Sequence, residues 1–147
     1  MSVPNVSNVG FWETAVDQFS VNGVDLGLTG RTAIMDTVRW RFLSDVAYAL
    51  ISYPSQSYYQ GTTLIIAPAA DAAAVHAAIP GSKPDKQGGF TIPCTTSASF
   101  ALTVGGQTFA IDPRDLTFLP VDPANLTGDC VSGISSGTVG AATEWLV

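Results

Sequence analysis

The side chains that can do chemistry in this chain are mostly carboxylates. Asp36 follows the short apolar run Thr32-Ala33-Ile34-Met35 and precedes Thr37, so a carboxylate stands at the end of a predicted strand, next to a hydroxyl. Such a carboxylate can act as a general base on water, or as a general acid once it is protonated. An Asp-Thr pair by itself is more often a turn or a helix cap, so Asp36 alone does not define a site.

The other reactive residue types are scarce. The chain has one His, His76, and two Cys, Cys94 and Cys130. No Cys-x-x-Cys pair is present and a Cys/His zinc site cannot be assembled, so we expect neither a metal nor another cofactor. The two Cys leave two alternatives, a disulfide or a pair of buried thiols. His76 is interpreted as an ordinary helix-face residue.

Composition limits the class of protein. The 147 residues suit one domain or a piece of a larger one, and 46% hydrophobic residues can build a core. The net charge of −6 argues against nucleic acid and against an anionic membrane surface. No apolar run approaches the roughly 18 residues of a membrane span. The start, Met-Ser-Val-Pro-Asn, lacks a basic and an apolar region, which predicts no signal peptide within this chain.

The elements that must position these residues are predicted to be mainly strands. Lys and Glu, typical of solvated helix faces, are rare, whereas Thr, Ser, Val and Gly are frequent. The pattern predicts antiparallel β-structure with one short helix. The predicted elements are a hairpin over residues 11–27, a helix over Ala67–Ile79, a hairpin of Phe100–Val104 with Gln107–Ile111, a helical turn at 112–115 and a last strand within 139–147.

Residues 38–60 differ in composition from the rest of the chain. All four Tyr lie in these 23 residues, with six of the fourteen aromatic residues. One interpretation is a genuine amphipathic insertion, since Phe42, Val46 and Leu50 can share a helix face. The other is a retained intron, because 23 codons (69 nucleotides) can be written with splice donor, branch and acceptor sequences. We favour the retained intron.

Removing residues 38–60 joins Asp36-Thr37 to Gly61-Thr62-Thr63. The joined hydrophobic-hydrophobic-Asp-Thr-Gly-Thr-Thr sequence resembles the active-site signature of the C-terminal lobe of pepsin-like aspartic proteases. The resemblance covers essentially all 124 residues outside the segment and looks most like fungal secreted acid proteases of the polyporopepsin type. The other matching stretches are Phe11-Trp12-Glu13, Ser20-Val21-Asn22-Gly23, Gly30-Arg31-Thr32-Ala33, the helix after the motif and Gly128–Ile134.

The resemblance implies a fold and a set of site residues. Residues 1–147 would be a partial C-terminal peptidase lobe, one half of a bilobal acid-protease fold, with 38–60 as a foreign insert in its catalytic loop. Asp36 would be a catalytic aspartate of an aspartic endopeptidase, acting on peptide or protein substrates. The remaining implied residues are Thr37, Gly61 and Thr62 in the active-site loop, Thr63 and Ile34 as binding-pocket candidates, and a Cys94–Cys130 disulfide. Thr62 and Thr63 can also be explained by β-propensity alone.

Two glycosylation sequons, Asn5-Val6-Ser7 and Asn125-Leu126-Thr127, add a weak signal, since such triplets also arise by chance. Together with the two Cys and the scarce Lys they favour a secreted protein, which is also what the family resemblance implies.

The chain departs from the family pattern in ways that bear on activity. The second catalytic Asp belongs to an N-terminal lobe, and no second Asp-Thr-Gly occurs here. The strand at Trp145-Leu146-Val147 would continue in the family into further strands, without which a sheet edge is left unpaired. We therefore expect this chain alone to be inactive. The alternatives are a non-catalytic binding or inhibitory module and, less favoured, a homodimeric protease.

Overall fold

The computed structural model describes residue 6 and residues 12–35 and 64–147. This part of the chain is mainly β, as predicted, with thirteen short strands and two helices. The strands are β1 Glu13–Val16, β2 Gln18–Val21, β3 Val24–Asp25, β4 Arg31–Ile34, β5 Ile65–Ala67, β6 Lys83–Pro84, β7 Phe90–Pro93, β8 Phe100–Val104, β9 Gln107–Ile111, β10 Thr117–Pro120, β11 Asp129–Ser132, β12 Ile134–Ser136 and β13 Glu144–Leu146. The helices are α1 Ala69–Ala77 and α2 Pro113–Leu116.

A five-stranded sheet contains the strands on both sides of the predicted catalytic loop. Its order is β1-β4-β13-β5-β12. β4 and β13 are parallel, as are β5 and β12, whereas the other pairs are antiparallel. The sequence pattern predicted only antiparallel pairing. Parallel strands need long connections, and pairing between residues 32 and 144 leaves no local pattern in the sequence.

The two predicted hairpins have different outcomes. β8 and β9 pair in register across Gly105-Gly106, as predicted, and both glycines have positive φ, as a two-residue hairpin turn requires. The segment 11–27 is not one hairpin. β2 and β3 pair across Asn22-Gly23, but β1 pairs with β4 in the other sheet. The chain changes sheets at Asp17, whose N–H donates to Thr103 O and whose carboxylate accepts from Gly106 N.

The third sheet, in the order β10-β11-β7-β6, carries the disulfide. Cys94 and Cys130 are bonded, with their Cα atoms 4.9 Å apart. Cys130 is aligned with Ile92 of β7 and with Pro120 of β10, and Cys94 N–H donates to Gly128 O. The predicted pairing is therefore present, and it connects the end of β7 to the β10–β11 hairpin.

Both helices are present where the sequence predicts them, and α1 is shorter than the predicted Ala67–Ile79 at both ends. α1 starts after Pro68, which has extended backbone angles, and ends at Ala77 rather than at Ile79. Ile79 precedes Pro80, which disfavours helical geometry at that residue and so shortens the helix. α2 occupies the predicted helical turn, and Asp112 caps it by accepting a hydrogen bond from Arg114 N at 2.9 Å.

The core lies where the five-stranded sheet packs against the β3-β2-β8-β9 sheet. Trp145 of β13 is fully buried, and its ring lies 4.3 Å from the Phe19 ring and 6.0 Å from the Phe100 ring. Such aromatic contacts bury a large apolar area and favour one arrangement of the two sheets. β13 is thus held in place between the two strands that flank the predicted catalytic loop.

Candidate active site

Most of the predicted active-site residues lie outside the described residues, while the strands that lead into them are well defined. Outside are Asp36, Thr37, Gly61, Thr62 and Thr63. So are residues 38–60 and the sequon residue Asn5. The sixth predicted residue, Ile34, is the last residue of β4 and is 9% exposed. Its side chain belongs largely to the core, and its role as a pocket wall stays a prediction.

The register of β13 places the end of β4 and the start of β5, the strands before and after the predicted catalytic loop, at the same end of the sheet. Leu146 is aligned with Ile34 of β4 on one side and with Ile66 of β5 on the other. Val147 N–H extends the β4 pairing by donating to Ile34 O at 2.9 Å. β4 is parallel to β13 and β5 is antiparallel to it. The last residue of β4 and the first residue of β5 therefore lie at the same end of the sheet. Two strand spacings of about 4.8 Å separate them, or about 10 Å in all.

A buried carboxylate on α1 connects this helix to β4 and β13. Asp71 of α1 is 1% exposed and accepts hydrogen bonds from Arg31 Nε at 2.6 Å and from Arg31 Nη2 at 2.8 Å. The indole N–H of Trp145 donates to the same carboxylate at 3.0 Å. We call these three residues the Asp71 cluster. Two-point binding by a guanidinium fixes orientation as well as distance, so the cluster sets how β4 sits against α1 and β13.

The electrostatics of the Asp71 cluster follow from this geometry. Burial raises the pKa of Asp71, but the hydrogen bonds from Arg31 and Trp145 outweigh burial and hold its pKa below the usual value. The hydrogen bond to Asp71 likewise raises the pKa of Arg31. Both groups are therefore charged over the range in which proteins normally work. Asp71 is a structural carboxylate, and its charge is already neutralised by Arg31.

Sequence reasoning missed the Asp71 cluster. The sequence pattern does not single out Asp71, and Arg31 enters only as part of a stretch that matches the family pattern. One signal was available, because Asp71 stands alone among the alanines of Ala69–Ala74, and an Asp that such a helix buries must be paired. Its partner, Arg31, lies forty residues earlier, and no local sequence pattern indicates that the two residues pair.

His76 is on a helix face, as predicted, and that face is turned inward. It is 3% exposed, and its ring stacks on Phe90 with centroids 3.8 Å apart. Because the carbonyl of Ala72 can only accept, the ring Nδ1–H donates to Ala72 O at 2.7 Å, and Nε2 accepts from Ser132 Oγ at 2.8 Å. Burial lowers the pKa of His76. The residue packs α1 against β7 and β11.

Some classes of site are not found in the part of the chain that the structure describes. Over residues 12–35 and 64–147, three or more metal-ligating side chains do not come together. The helices of these ranges are too short to cross a bilayer. Asn125, the second predicted sequon residue, lies in an exposed turn between β10 and β11.

Known proteins similar to this chain are fungal aspartic proteases. A family profile described as eukaryotic aspartyl protease matches residues 55–144. A probable aspartic-type endopeptidase CTSD of Arthroderma benhamiae is 33% identical over 137 residues, which are 92% of this chain and 21% of that protein. An aspartic protease of Phaffia rhodozyma is 30% identical over 149 residues, or 97% of this chain and 30% of that protein.

The extent of these matches bears on the candidate site. The chain spans about a fifth to a third of the length of the curated relatives it matches. The family match includes Gly61, Thr62 and Thr63 but begins after Asp36 and Thr37, and it omits most of residues 38–60.

Proposed function

Since this chain belongs to the eukaryotic aspartyl protease family, we propose that it forms part of the C-terminal lobe of an aspartic endopeptidase and that Asp36 is one of the two catalytic carboxylates. The alignment of Leu146 with both Ile34 and Ile66 is the observation that carries this proposal. It brings the end of β4 and the start of β5, which adjoin the two halves of the interrupted motif in the sequence, to the same end of the sheet.

The proposed reaction is hydrolysis of a peptide bond by water held between two carboxylates. Two carboxylates a few ångströms apart do not both ionise easily, and aspartic proteases are the standard example of such a pair sharing one proton. The ionised carboxylate removes a proton from the water, whose oxygen attacks the scissile carbonyl carbon. The protonated carboxyl polarises the carbonyl oxygen. Asp36 would supply one of these groups, and the other lobe of the enzyme would supply the second.

Residues 38–60 are proposed to be a retained intron. Without them, five residues link Met35 to Leu64, namely Asp36, Thr37, Gly61, Thr62 and Thr63. Such a link makes six Cα–Cα steps and reaches up to about 20 Å, which is ample for a gap of about 10 Å. The 23 residues are therefore not needed to connect β4 to β5. Their Tyr-rich composition supports the same view.

The chain as printed is proposed to be inactive by itself. A catalytic group must be held within about 0.5 Å of its working position, and 23 additional residues between Thr37 and Gly61 would not preserve such a loop. The 147 residues also contain no second Asp-Thr-Gly. We further propose that the whole enzyme acts on peptide or protein substrates and is secreted. The Cys94–Cys130 disulfide supports secretion, because such bonds persist mainly in oxidising compartments.

The proposal is tested first on the message and then on the protein. We expect a full-length transcript to lack the 69 nucleotides that encode residues 38–60 and to encode a second Asp-Thr-Gly lobe upstream. The full-length product of that transcript, which has both lobes and lacks residues 38–60, should cleave a denatured protein at acidic pH and bind pepstatin. Asp36→Asn should abolish cleavage, whereas Asp115→Asn, an exposed Asp in α2, is the matched control and should retain it.

The opposite results would point to another function. A mature message that keeps these codons and encodes no second lobe would overturn the enzyme proposal. With an ordered segment 38–60 and no pepstatin binding, the chain would instead be a non-catalytic binding or inhibitory module.

A further inference from the structure

Exposed apolar side chains are concentrated on the β10–β11 hairpin. Of nine large hydrophobic residues exposed among the described residues, five fall between residues 118 and 131. Leu119 and Val131 are directly opposite each other in the register and are 54% and 36% exposed. Val121, which follows Leu119 by two residues, is 57% exposed, and Leu126 in the connecting turn is 71% exposed. We call Leu119, Val121, Leu126 and Val131 the hairpin patch.

The hairpin patch lies on a strand edge that proteins usually protect. β10 is the outermost strand of its sheet, so one side of its backbone has no strand partner among the described residues. An edge strand that also exposes apolar side chains favours pairing with other chains. Natural proteins cover or block such edges, and a bulky solvated group near the edge is one way to do so.

The tip of the same hairpin carries the sequon Asn125-Leu126-Thr127 in an ordered turn. Asn125 N–H donates to Asp122 O at 2.9 Å, and Gly128 N–H donates to Asn125 O at 3.2 Å. The Thr127 hydroxyl donates to Asn125 Oδ1 at 3.2 Å, so the two essential side chains of the sequon are in contact. All three sequon residues are exposed.

Gly128, which has no side chain, lies next to the nitrogen that would be modified. A Cβ atom on Gly128 would lie 2.8 Å from Asn125 Nδ2, so a side chain at that position would crowd this atom. The disulfide at Cys130 and the hydrogen bond from Cys94 N to Gly128 O hold the base of the turn. Asn125 is thus presented at a fixed place beside the hairpin patch.

We propose that Asn125 carries an N-linked glycan whose first sugars cover the hairpin patch. The co-reactant is an oligosaccharide joined through pyrophosphate to a polyisoprenoid lipid. A bond forms between Asn125 Nδ2 and C1 of the first sugar, the bond from C1 to the pyrophosphate oxygen breaks, and the lipid pyrophosphate leaves. Nδ2 loses one proton to a base of the transferase, and nothing is oxidised or reduced. The inference does not depend on Asp36 or on any catalytic activity.

Attachment is tested with the full chain expressed behind a secretion leader in a eukaryotic host. Asn5→Gln removes the other sequon, so that a glycan can come only from Asn125. We expect a peptide N-glycosidase to remove one gel shift and to convert Asn125 to Asp in the mapped peptide. Asn125→Gln and Thr127→Ala should each abolish the shift, whereas Thr127→Ser keeps the sequon and should retain it. An unmodified Asn125 in secreted, disulfide-bonded protein would overturn the proposal.

Coverage of the patch is tested by removing the glycan from folded protein. We expect a severalfold rise in the fluorescence of a hydrophobic dye and the appearance of self-associated species in sedimentation. Leu126→Ser, combined with Asn125→Gln, should reduce both effects, because it removes the most exposed side chain of the patch. Unchanged dye binding and association after glycan removal would show that the sugars do not cover the patch. A discrete dimer of the glycosylated protein through the patch would also overturn the proposal, in favour of a second copy as its occupant.

Discussion

Arg31 Nε lies 2.6 Å from Asp71 Oδ2, in an ion pair that fixes the first residue of β4 to helix α1. The last residue of the same strand, Ile34, is two positions before Asp36. The pair therefore anchors the strand that leads into the predicted catalytic loop, and Trp145 connects it to β13 through the same carboxylate. Four residues, 32–35, lie between Arg31, the partner of the buried structural carboxylate, and Asp36, the proposed catalytic one.

Arg31→Met should destabilise the protein strongly. It leaves Asp71, which is 1% exposed, with the Trp145 indole as its remaining donor in the cluster. Loss of one member of a buried pair costs about 3–5 kcal/mol. Lys83→Met is the matched control, since its pair with Asp129 is 64% and 40% exposed and should contribute at most about 1 kcal/mol. Urea denaturation of both variants measures the difference, and equal losses would contradict a structural role for the Asp71 cluster.

Stability should fall in two stages as the pH is lowered. Burial lowers the pKa of His76 in the folded state, so below about pH 6.5 the unfolded chain takes up a proton that the folded chain resists. The free energy of unfolding keeps falling until the pH reaches the lowered pKa of His76 in the folded state. The pKa of Asp71 is also lowered, so its contribution is present above the unfolded value of 3.8 and is lost as the pH falls through the folded value.

The two stages can be separated by substitution. His76→Gln keeps a donor for Ala72 O and an acceptor for Ser132 Oγ without a titrating group, so it should flatten the upper stage and leave the lower stage unchanged. Free energies of unfolding measured from pH 8 to pH 3 test this expectation. Identical pH profiles for the two proteins would exclude His76 as the source of the upper stage.

What the sequence could predict depended on how local the interaction was. The β8–β9 hairpin follows from two adjacent glycines, and the start of α1 follows from Pro68, so both were predictable from neighbouring residues. Parallel pairing of β4 with β13 joins residues more than one hundred positions apart, and the Arg31–Asp71 pair joins residues forty apart. No local pattern indicates such partners. Asp36 was recognisable as a candidate only through the resemblance, and only after residues 38–60 were set aside.

Removal of the disulfide should lower the free energy of unfolding, because the unfolded chain gains conformational freedom when the bond is absent. Cys94 and Cys130 are 36 positions apart, and a closed loop of this length contributes about 3–4 kcal/mol in the chain-entropy estimate. The Cys94→Ala, Cys130→Ala double variant should therefore unfold at a lower urea concentration. A reducing agent should lower the midpoint of the unsubstituted protein by a similar amount and leave the double variant unaffected. A shift in the double variant would show that reduction acts elsewhere than at this bond.

Deletion of residues 38–60 should stabilise the rest of the chain if the segment is foreign to the fold. The connection between Met35 and Leu64 shortens from 28 residues to five, and loop-closure entropy then favours the folded state by about 1.5 kcal/mol. A chain in which the segment is replaced by 23 Gly and Ser residues separates length from sequence. If the segment makes no stabilising contacts, the replacement and the unmodified chain should have the same free energy of unfolding in urea. The deletion should then have a larger free energy of unfolding than both. A Gly/Ser replacement less stable than the unmodified chain would show that residues 38–60 pack against the lobe, because the two chains have the same loop length and differ in contacts.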